Sequence, residues 1–109
     1  MEAFELDEVA AERRRAGEEY LQFLNAGSLS VGLYVLPAGG EDTQQPHAED
    51  EVYYVVAGRA TVRVGEEDRP VGPGSLVFVG AGVPHRFHGI AEELSLLVFF
   101  APEHVRAAG

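Results

Sequence analysis

Two short segments carry the side chains that could bind a metal ion or move a proton. "QQPHAEDEVYY" places Gln45, His47 and Glu51 at spacings of two and four residues, and His85 follows the turn sequence "GAGVP". Imidazole nitrogens and carboxylate oxygens are common ligands of first-row divalent metals. The chain has no cysteine, so any metal would have to be held by nitrogen and oxygen. These residues predict a divalent-metal site with coordination positions left open.

The spacing of these residues matters because side chains two apart in a strand share a face. Gln45 and His47 therefore point the same way in an extended chain, and Glu51 and Tyr53 continue that face. If the entrances of two strands lie side by side in a barrel, the side chains of His47, Glu51 and His85 converge. The prediction thus depends on which elements surround the two segments.

The first of these elements is a short helix near the N-terminus. Leu6, Val9 and Ala10 recur at helical spacing, Asp7 is predicted to cap the helix and Gly17 to end it. A helix of this length could lie on the outside of the rest of the domain.

From Tyr20 onward the chain consists of short apolar runs separated by turn sequences. The predicted strands are "SLSVGLYVL", "EVYYVVA", "ATVRV", "SLVFV", "HRFHG" and "LSLLVFFA", and the turns include "AGR", "GEED" and "VGPG". Six to eight strands without intervening helices predict an all-β sandwich or barrel. We expect one domain, with the helix and a leading strand in 1–28, the barrel in 29–102 and a tail in 103–109. His104 in the tail is predicted to be exposed and uncommitted.

Composition limits the classes of partner. The formal charge is −10, with eight arginines and no lysine, which disfavours a duplex-binding surface. No apolar stretch reaches the length of a membrane span, and the start "MEAFELDEV" is acidic. We therefore expect a cytoplasmic protein with neither nucleic acid nor membrane as partner.

Two spacing patterns resemble the conserved motifs of the cupin family. The first, G-x5-H-x-H-x3-E-x6-G, aligns with Gly39, Gln45, His47, Glu51 and Gly58, with glutamine in place of the first histidine. The second, G-x5-P-x-G-x2-H-x3-N, aligns with Gly74, Gly80, Gly82, His85 and Gly89; Gly80 replaces the proline and Gly89 the asparagine. The resemblance extends from about Leu29 to Pro102.

The resemblance implies a double-stranded β-helix, or jelly-roll barrel, often homodimeric, with Fe, Mn, Ni or Zn in the barrel mouth. It assigns His47, Glu51 and His85 as metal ligands. For Gln45 three roles remain open: a weak fourth ligand, a hydrogen-bond donor to a substrate, or the mark of a degenerate site. Without Gln45, two histidines and one carboxylate match the composition of the facial triad of non-haem Fe(II) oxygenases.

Aromatic residues near this face could line a substrate pocket. Tyr53, Phe87 and Phe99 share the parity of the site residues or lie on neighbouring strands, and Tyr34 could place a hydroxyl at the barrel mouth. For Tyr53, Phe87 and Phe99 a plain core position is the more common role. Glu49 is a fallback carboxylate, although a surface turn position is favoured for it. His88 faces the opposite side of its strand from His85 and is predicted to lie outside the barrel.

Two classes of function remain. The first is a metal-binding enzyme acting on a small organic molecule, such as a dioxygenase or isomerase, with Glu51 as ligand or proton shuttle. The second is a non-catalytic domain that binds or senses a small ligand. A barrel whose site has decayed is a weaker third. The fold is the better determined prediction, because one fold supports many reactions.

Overall fold

A computed structural model describes residues 1–44 and 46–105 of the chain. Within these ranges one helix precedes six strands, which form an antiparallel sheet in the order β1-β2-β6-β3-β4, with β5 paired to β3. The elements are α1 (Leu6–Ala16), β1 (Tyr20–Asn25), β2 (Ser30–Leu36), β3 (Asp50–Val64), β4 (Glu67–Val71), β5 (Leu76–Val79) and β6 (His85–Ala101). This all-β barrel with a short N-terminal helix confirms the predicted fold class.

Helix α1 covers part of the outer face of the sheet. Its buried Val9 packs against Leu33 and Val35 of β2. The helix ends at the predicted Gly17, which adopts the left-handed conformation (φ 69°). The predicted cap is wrong: Asp7 lies inside the first turn, and the N-cap position is occupied by Glu5, without a side-chain capping bond. An acidic side chain in the first turn still interacts favourably with the helix dipole.

Strands β3 and β6 are longer than predicted, because each joins two of the predicted runs. The "AGR" sequence, predicted as a turn, lies inside β3, where the pairing with β6 shifts register on both sides of Ala57. Gly58 has φ 94°, and a Cβ there would lie 2.2 Å from the carbonyl oxygen of Glu93. The glycine thus lets β3 bend against β6 without breaking the strand.

The barrel interior is filled by alternate residues of these two strands. Tyr53 and Val55 of β3 and Leu94, Leu96, Val98 and Phe100 of β6 are buried in one core cluster. Phe99 therefore points to the other face of β6, where it lines an outer groove with Phe4 and Phe23. The prediction that Phe99 lines the pocket is wrong, because alternation assigns that role to its neighbour Phe100.

Within the described residues, no helix has both the length and the apolar character needed to cross a bilayer.

Candidate metal centre

The two predicted segments meet at one end of the barrel. The turn between β5 and β6 is tied to the segment before β3, because Gly82 donates its N–H to the carbonyl oxygen of His47 (2.7 Å). Ala81 donates its N–H to the Asp50 carboxylate (2.8 Å). These bonds place the start of β6, at His85, beside the start of β3.

At this junction a histidine and a carboxylate face each other in the interior. His85 Nε2 lies 2.7 Å from Glu51 Oε1, and both side chains are only 1% exposed. His85 Nδ1 lies 2.8 Å from the carbonyl oxygen of Val83. Because a carbonyl only accepts, Nδ1 carries the proton of a neutral ring, and Nε2 then presents a lone pair to the carboxylate. A positive charge, either a second proton or a metal ion, is needed between them.

The pKa values of the two histidines move in opposite directions. Burial by itself lowers the pKa of His85, but the hydrogen bonds to Glu51 and Val83 and the nearby carboxylates outweigh it and raise the pKa above its ordinary value. Burial lowers the pKa of His47, and Glu51 only partly offsets this effect. Glu51 therefore stabilises positive charge at His85, whereas burial favours the neutral form of His47, the form that a metal ligand needs.

Gln44 contributes to this centre, although the sequence motif points to Gln45. Its Oε1 accepts hydrogen bonds from His47 Nε2 (3.0 Å) and from the Tyr53 hydroxyl (2.9 Å). The Tyr53 oxygen also lies 3.0 Å from His85 Nε2. A continuous chain of polar contacts therefore links Glu51, His85, Tyr53, Gln44 and His47.

Asp42 fixes the orientation of Gln44. Its Oδ2 accepts a hydrogen bond of 2.7 Å from Gln44 Nε2, and because a carboxylate only accepts, the amide oxygen must face the histidine and the tyrosine. Asp42 is buried and also accepts from the Tyr34 hydroxyl (2.8 Å) and the backbone N–H of Phe87 (2.9 Å). No periodic pattern marks Asp42 in the sequence; only its place in the segment leading to the site could have suggested it.

A cavity of about 200 Å³ opens beside this centre. Its wall is mainly aromatic, with hydroxyl, amide and imidazole groups, and consists of Tyr20, Tyr34, Thr43, Gln44, His47, Tyr53, Val98, Phe100 and His104. None of the lining residues within the described ranges is an arginine.

The predicted ligands come together. The ligand atoms of His47, Glu51 and His85 all lie within 4.8 Å of one another. Gln45 lies outside the described residues, so its predicted roles stay predictions.

Of the predicted pocket residues, some line the cavity and others do not. Tyr34 and Tyr53 lie on the cavity wall. Phe87 is fully buried beneath Tyr53, with ring centroids 5.0 Å apart, and is a core residue rather than part of the wall. Phe99, as described above, faces the outer groove.

His104 is not the exposed, uncommitted side chain that the sequence suggested. Its ring is 19% exposed and stacks on Phe100 with centroids 4.5 Å apart, and its Nδ1 lies 2.5 Å from Glu49 Oε1. Glu49, expected at a surface turn, is 13% exposed in this pair. His88, by contrast, lies outside the barrel as predicted, with Nε2 2.8 Å from Asp68 Oδ1.

The donor set fits a divalent metal ion. Apart from the 2.7 Å approach of His85 Nε2, no N–H or O–H group among the described residues donates to either buried Glu51 oxygen in good hydrogen-bonding geometry. A buried carboxylate in that state is costly unless a cation meets it. Glu51 and His85 at the starts of β3 and β6, with His47 in the segment before β3, supply such a cation with two imidazoles and one carboxylate.

Fold and site together define a small jelly-roll barrel with a histidine–carboxylate cluster at its mouth. Residues 32–100 match the sequence profile of the Cupin_2 family, described as a cupin domain. The chain belongs to this family, as the two motifs predicted. An uncharacterized protein of Streptomyces coelicolor is 56% identical over 102 residues, covering 94% of this chain and 97% of that protein.

Solved structures agree with this assignment. TT1209 from Thermus thermophilus is 33% identical, with a TM-score of 0.73 over 94% of this chain and 98% of its own. The DMSP lyase DddQ from Ruegeria pomeroyi is 29% identical, with a TM-score of 0.69, covering 75% of this chain; the chain spans only 42% of that lyase. KdgF from Halomonas sp., at 20% identity and a TM-score of 0.72 over 78% of each chain, shares the fold.

Proposed function

We propose that the barrel binds one first-row divalent metal ion through His47, Glu51 and His85 and acts on a small organic molecule held in the adjacent cavity. The observation that carries the proposal is the 2.7 Å approach of Glu51 Oε1 to His85 Nε2 in the barrel interior, a pair that requires a positive charge between them. Glu51 and His85 would hold the ion together with His47, whose ligand atom lies within 4.8 Å of theirs.

The composition of the ligand set limits the choice of ion. Two imidazoles with one carboxylate suit Fe, Mn, Ni or Zn, and a set without thiolate suits Cu(I) poorly. When bound, such an ion supplies a Lewis acid and, for iron or manganese, a centre for oxygen chemistry.

The residues of the chain bind and orient the substrate. Burial and the nearby Glu51 raise the pKa of the Tyr53 hydroxyl well above its ordinary value, so that hydroxyl stays protonated and can donate a hydrogen bond. Tyr34 and Gln44 add polar groups on the same wall. A cavity of about 200 Å³ is smaller than typical drug-sized pockets, so the substrate should be small. No described arginine lines the wall, so an anionic group on the substrate would meet the metal or the imidazoles of His47 and His104.

Three reaction classes are consistent with this site: dioxygenation, isomerisation and elimination. The first two follow from the ligand set, with Glu51 as ligand or proton shuttle. The third is added by the likeness to a DMSP lyase. In each class Tyr53 would orient a substrate oxygen, and Glu51 would hold the ion or move a proton.

The experiment is an elemental analysis of untagged protein as purified without chelator, with wild type also analysed after reconstitution. Wild type should carry close to one equivalent of metal, and Glu51→Gln or His85→Gln should each remove most of it while leaving the circular dichroism spectrum unchanged. His88→Gln, which alters a half-exposed histidine bound to Asp68, is the matched control and should retain the metal. Wild-type protein that takes up no Fe, Mn, Ni or Zn would refute the proposal.

A non-catalytic binding domain is the second candidate, favoured by one observation. Gln44 Oε1 already accepts hydrogen bonds from His47 Nε2 and the Tyr53 hydroxyl. With His47 Nε2 as a donor, a proton instead of a metal ion can satisfy the polar groups of the site. Protein that binds small hydroxylated ligands equally well with and without chelator, and that shows no turnover or oxygen consumption, would support this function over the enzyme.

A further inference from the structure

The segment after β6 returns to the barrel mouth and is held there by its backbone. Glu103 donates its N–H to the Gly27 carbonyl oxygen (2.9 Å), and His104 donates its N–H to Ser30 Oγ (3.0 Å). The carbonyl oxygen of His104 accepts from Gln22 Nε2 (2.9 Å). These three bonds fix the backbone from which the His104 ring extends, independently of what the ring itself contacts.

The ring lies between an aromatic surface and two potential metal ligands. One face stacks on Phe100 at an interplanar angle of 24°. The edge meets Glu49 at 2.5 Å, and the centroid lies 5.0 Å from that of His47. Glu49 and His104 are both more than four-fifths buried. Packing thus restrains the imidazole and the carboxylate in the way that a preformed binding site requires.

Three ligands converge here, separately from the inner cluster. The ligand atoms of His47, Glu49 and His104 all lie within 4.8 Å of one another. Ligands on one metal ion, each at about 2.0–2.2 Å from it, lie no more than about 4.4 Å apart, so small side-chain rotations would close the set. Both clusters contain two histidines and one glutamate, and they share only His47.

We propose that His47, Glu49 and His104 form a second divalent-cation site, at the mouth of the cavity, which competes with the inner site for His47. The outer site is the set of these three residues, and the inner site is the set of His47, Glu51 and His85. An ion in the outer site replaces the direct contact between His104 Nδ1 and Glu49 Oε1 and ties the C-terminal segment to the segment before β3. Its two imidazoles select Zn, Ni, Co or Cu(II) over Mg or Ca.

The proposal rests on the proposed function only through the shared residue His47. The outer site is less buried than the inner one, so an ion exchanges there more readily. The inner site, with two nearly inaccessible ligands, holds the ion more tightly. In wild type the inner site therefore takes up His47, and binding at the outer site is not seen. Substitution of the inner ligands makes binding at the outer site measurable.

The test uses untagged full-length protein carrying Glu51→Gln and His85→Gln, titrated with Ni²⁺ and Zn²⁺ by calorimetry. This background should bind one ion, more weakly than wild type. Adding His104→Gln or Glu49→Gln should weaken that binding at least tenfold, whereas adding His88→Gln should leave it unchanged. Ion binding in the background should also slow hydrogen exchange of the Glu103 and His104 amides.

The outcomes separate the two proposals. A background that binds no ion, or whose binding His104→Gln does not weaken, overturns the outer site and leaves the inner one standing. If wild-type binding is lost with His104→Gln and kept with Glu51→Gln and His85→Gln, the outer site stands and the proposed inner centre fails. Should the double substitution unfold the barrel, Glu51→Gln alone serves as the background with the same readings.

Discussion

At the residue scale, the site combines side chains that the motifs mark with side chains that they do not. His47, Glu51 and His85 could be predicted because strand periodicity and motif spacing both select them, and their ligand atoms converge. Gln44 and Asp42 could not, because the irregular segment before β3 has no period that tells which side chain turns inward. His104 was missed because its position depends on backbone bonds to Gly27 and Ser30, far away in the sequence.

The role of Gln44 leads to a prediction about metal affinity. Its Oε1 contacts His47 and Tyr53 and is held in place by Asp42. Gln44→Ala should lower metal affinity by about tenfold, as loss of an outer-shell partner commonly does. Glu41→Ala, at an exposed position in the same segment, is the control and should have no effect. Equal affinities for both variants in a chelator competition assay would contradict the role given to Gln44.

Asp42 should matter for stability as well as for the site. Asp42→Asn replaces an oxygen that accepts from Phe87 or Gln44 with an NH₂ group that cannot accept. A buried donor is left without a partner, so we expect a loss of about 2–4 kcal/mol in the free energy of unfolding. Urea denaturation of metal-free protein measures it, with Glu41→Gln as the exposed control. A loss below about 0.5 kcal/mol, the range of surface substitutions, would show that the Asp42 bonds are not needed.

The pair His88–Asp68, outside the barrel, predicts a pH effect unrelated to metal. The hydrogen bond from His88, with a further contribution from Arg63, holds the pKa of Asp68 below its ordinary value. A depressed carboxyl pKa contributes stability above the unfolded value of about 3.9, and this contribution is lost as pH falls through the folded-state pKa. Carboxyl NMR should show Asp68 titrating below its usual range, and His88→Gln should move it back. If the pKa of Asp68 in wild type is ordinary, the pair with His88 makes no such pH-dependent contribution to stability.

At the element scale, the sequence predicts the strands better than their ends. Alternation in "LSLLVFFA" identifies a strand but does not tell which of Phe99 and Phe100 faces the barrel interior. The pairing of Phe100 with Glu51 in the neighbouring strand decides this. The turn sequence "AGR" predicted a break because glycine between strands usually marks one. In the barrel, Gly58 instead permits a bend, because the close approach of Glu93 leaves no room for a side chain. Local propensity cannot reveal such a contact.

Gly58 provides the test at this scale. Gly58→Ala would place a methyl group 2.2 Å from the Glu93 carbonyl oxygen at φ 94°, so it should cost about 3 kcal/mol or more, or prevent folding. Gly17→Ala is the matched control, because it also has a positive φ (69°) but meets no atom within 4 Å. It should cost only about 1–2 kcal/mol. Thermal unfolding of the two variants compares them, and equal losses would mean that backbone conformation, and not the close approach to β6, explains the glycine.

At the scale of the whole molecule, one part of the outer surface is unusually apolar. Helix α1 covers β2, but Leu76 and Phe78 of the edge strand β5 are 69% and 64% exposed, next to the partly exposed Tyr54 of β3. An exposed apolar edge strand is a common site of association. The homodimer expected from the family resemblance remains a prediction. We propose that this surface forms its interface.

The prediction is that two copies associate through β5. Wild-type protein should sediment as a dimer, and Leu76→Ser combined with Phe78→Ser should give a folded monomer, because both side chains already lie in solvent in the single chain. Phe4→Ser, which removes an exposed aromatic side chain near the helix instead, should leave the dimer intact. Metal content should be unchanged in the monomer, since every proposed ligand comes from one chain. A wild type that sediments as a monomer at tens of micromolar, or a dimer that only Phe4→Ser disrupts, would place the association elsewhere or exclude it.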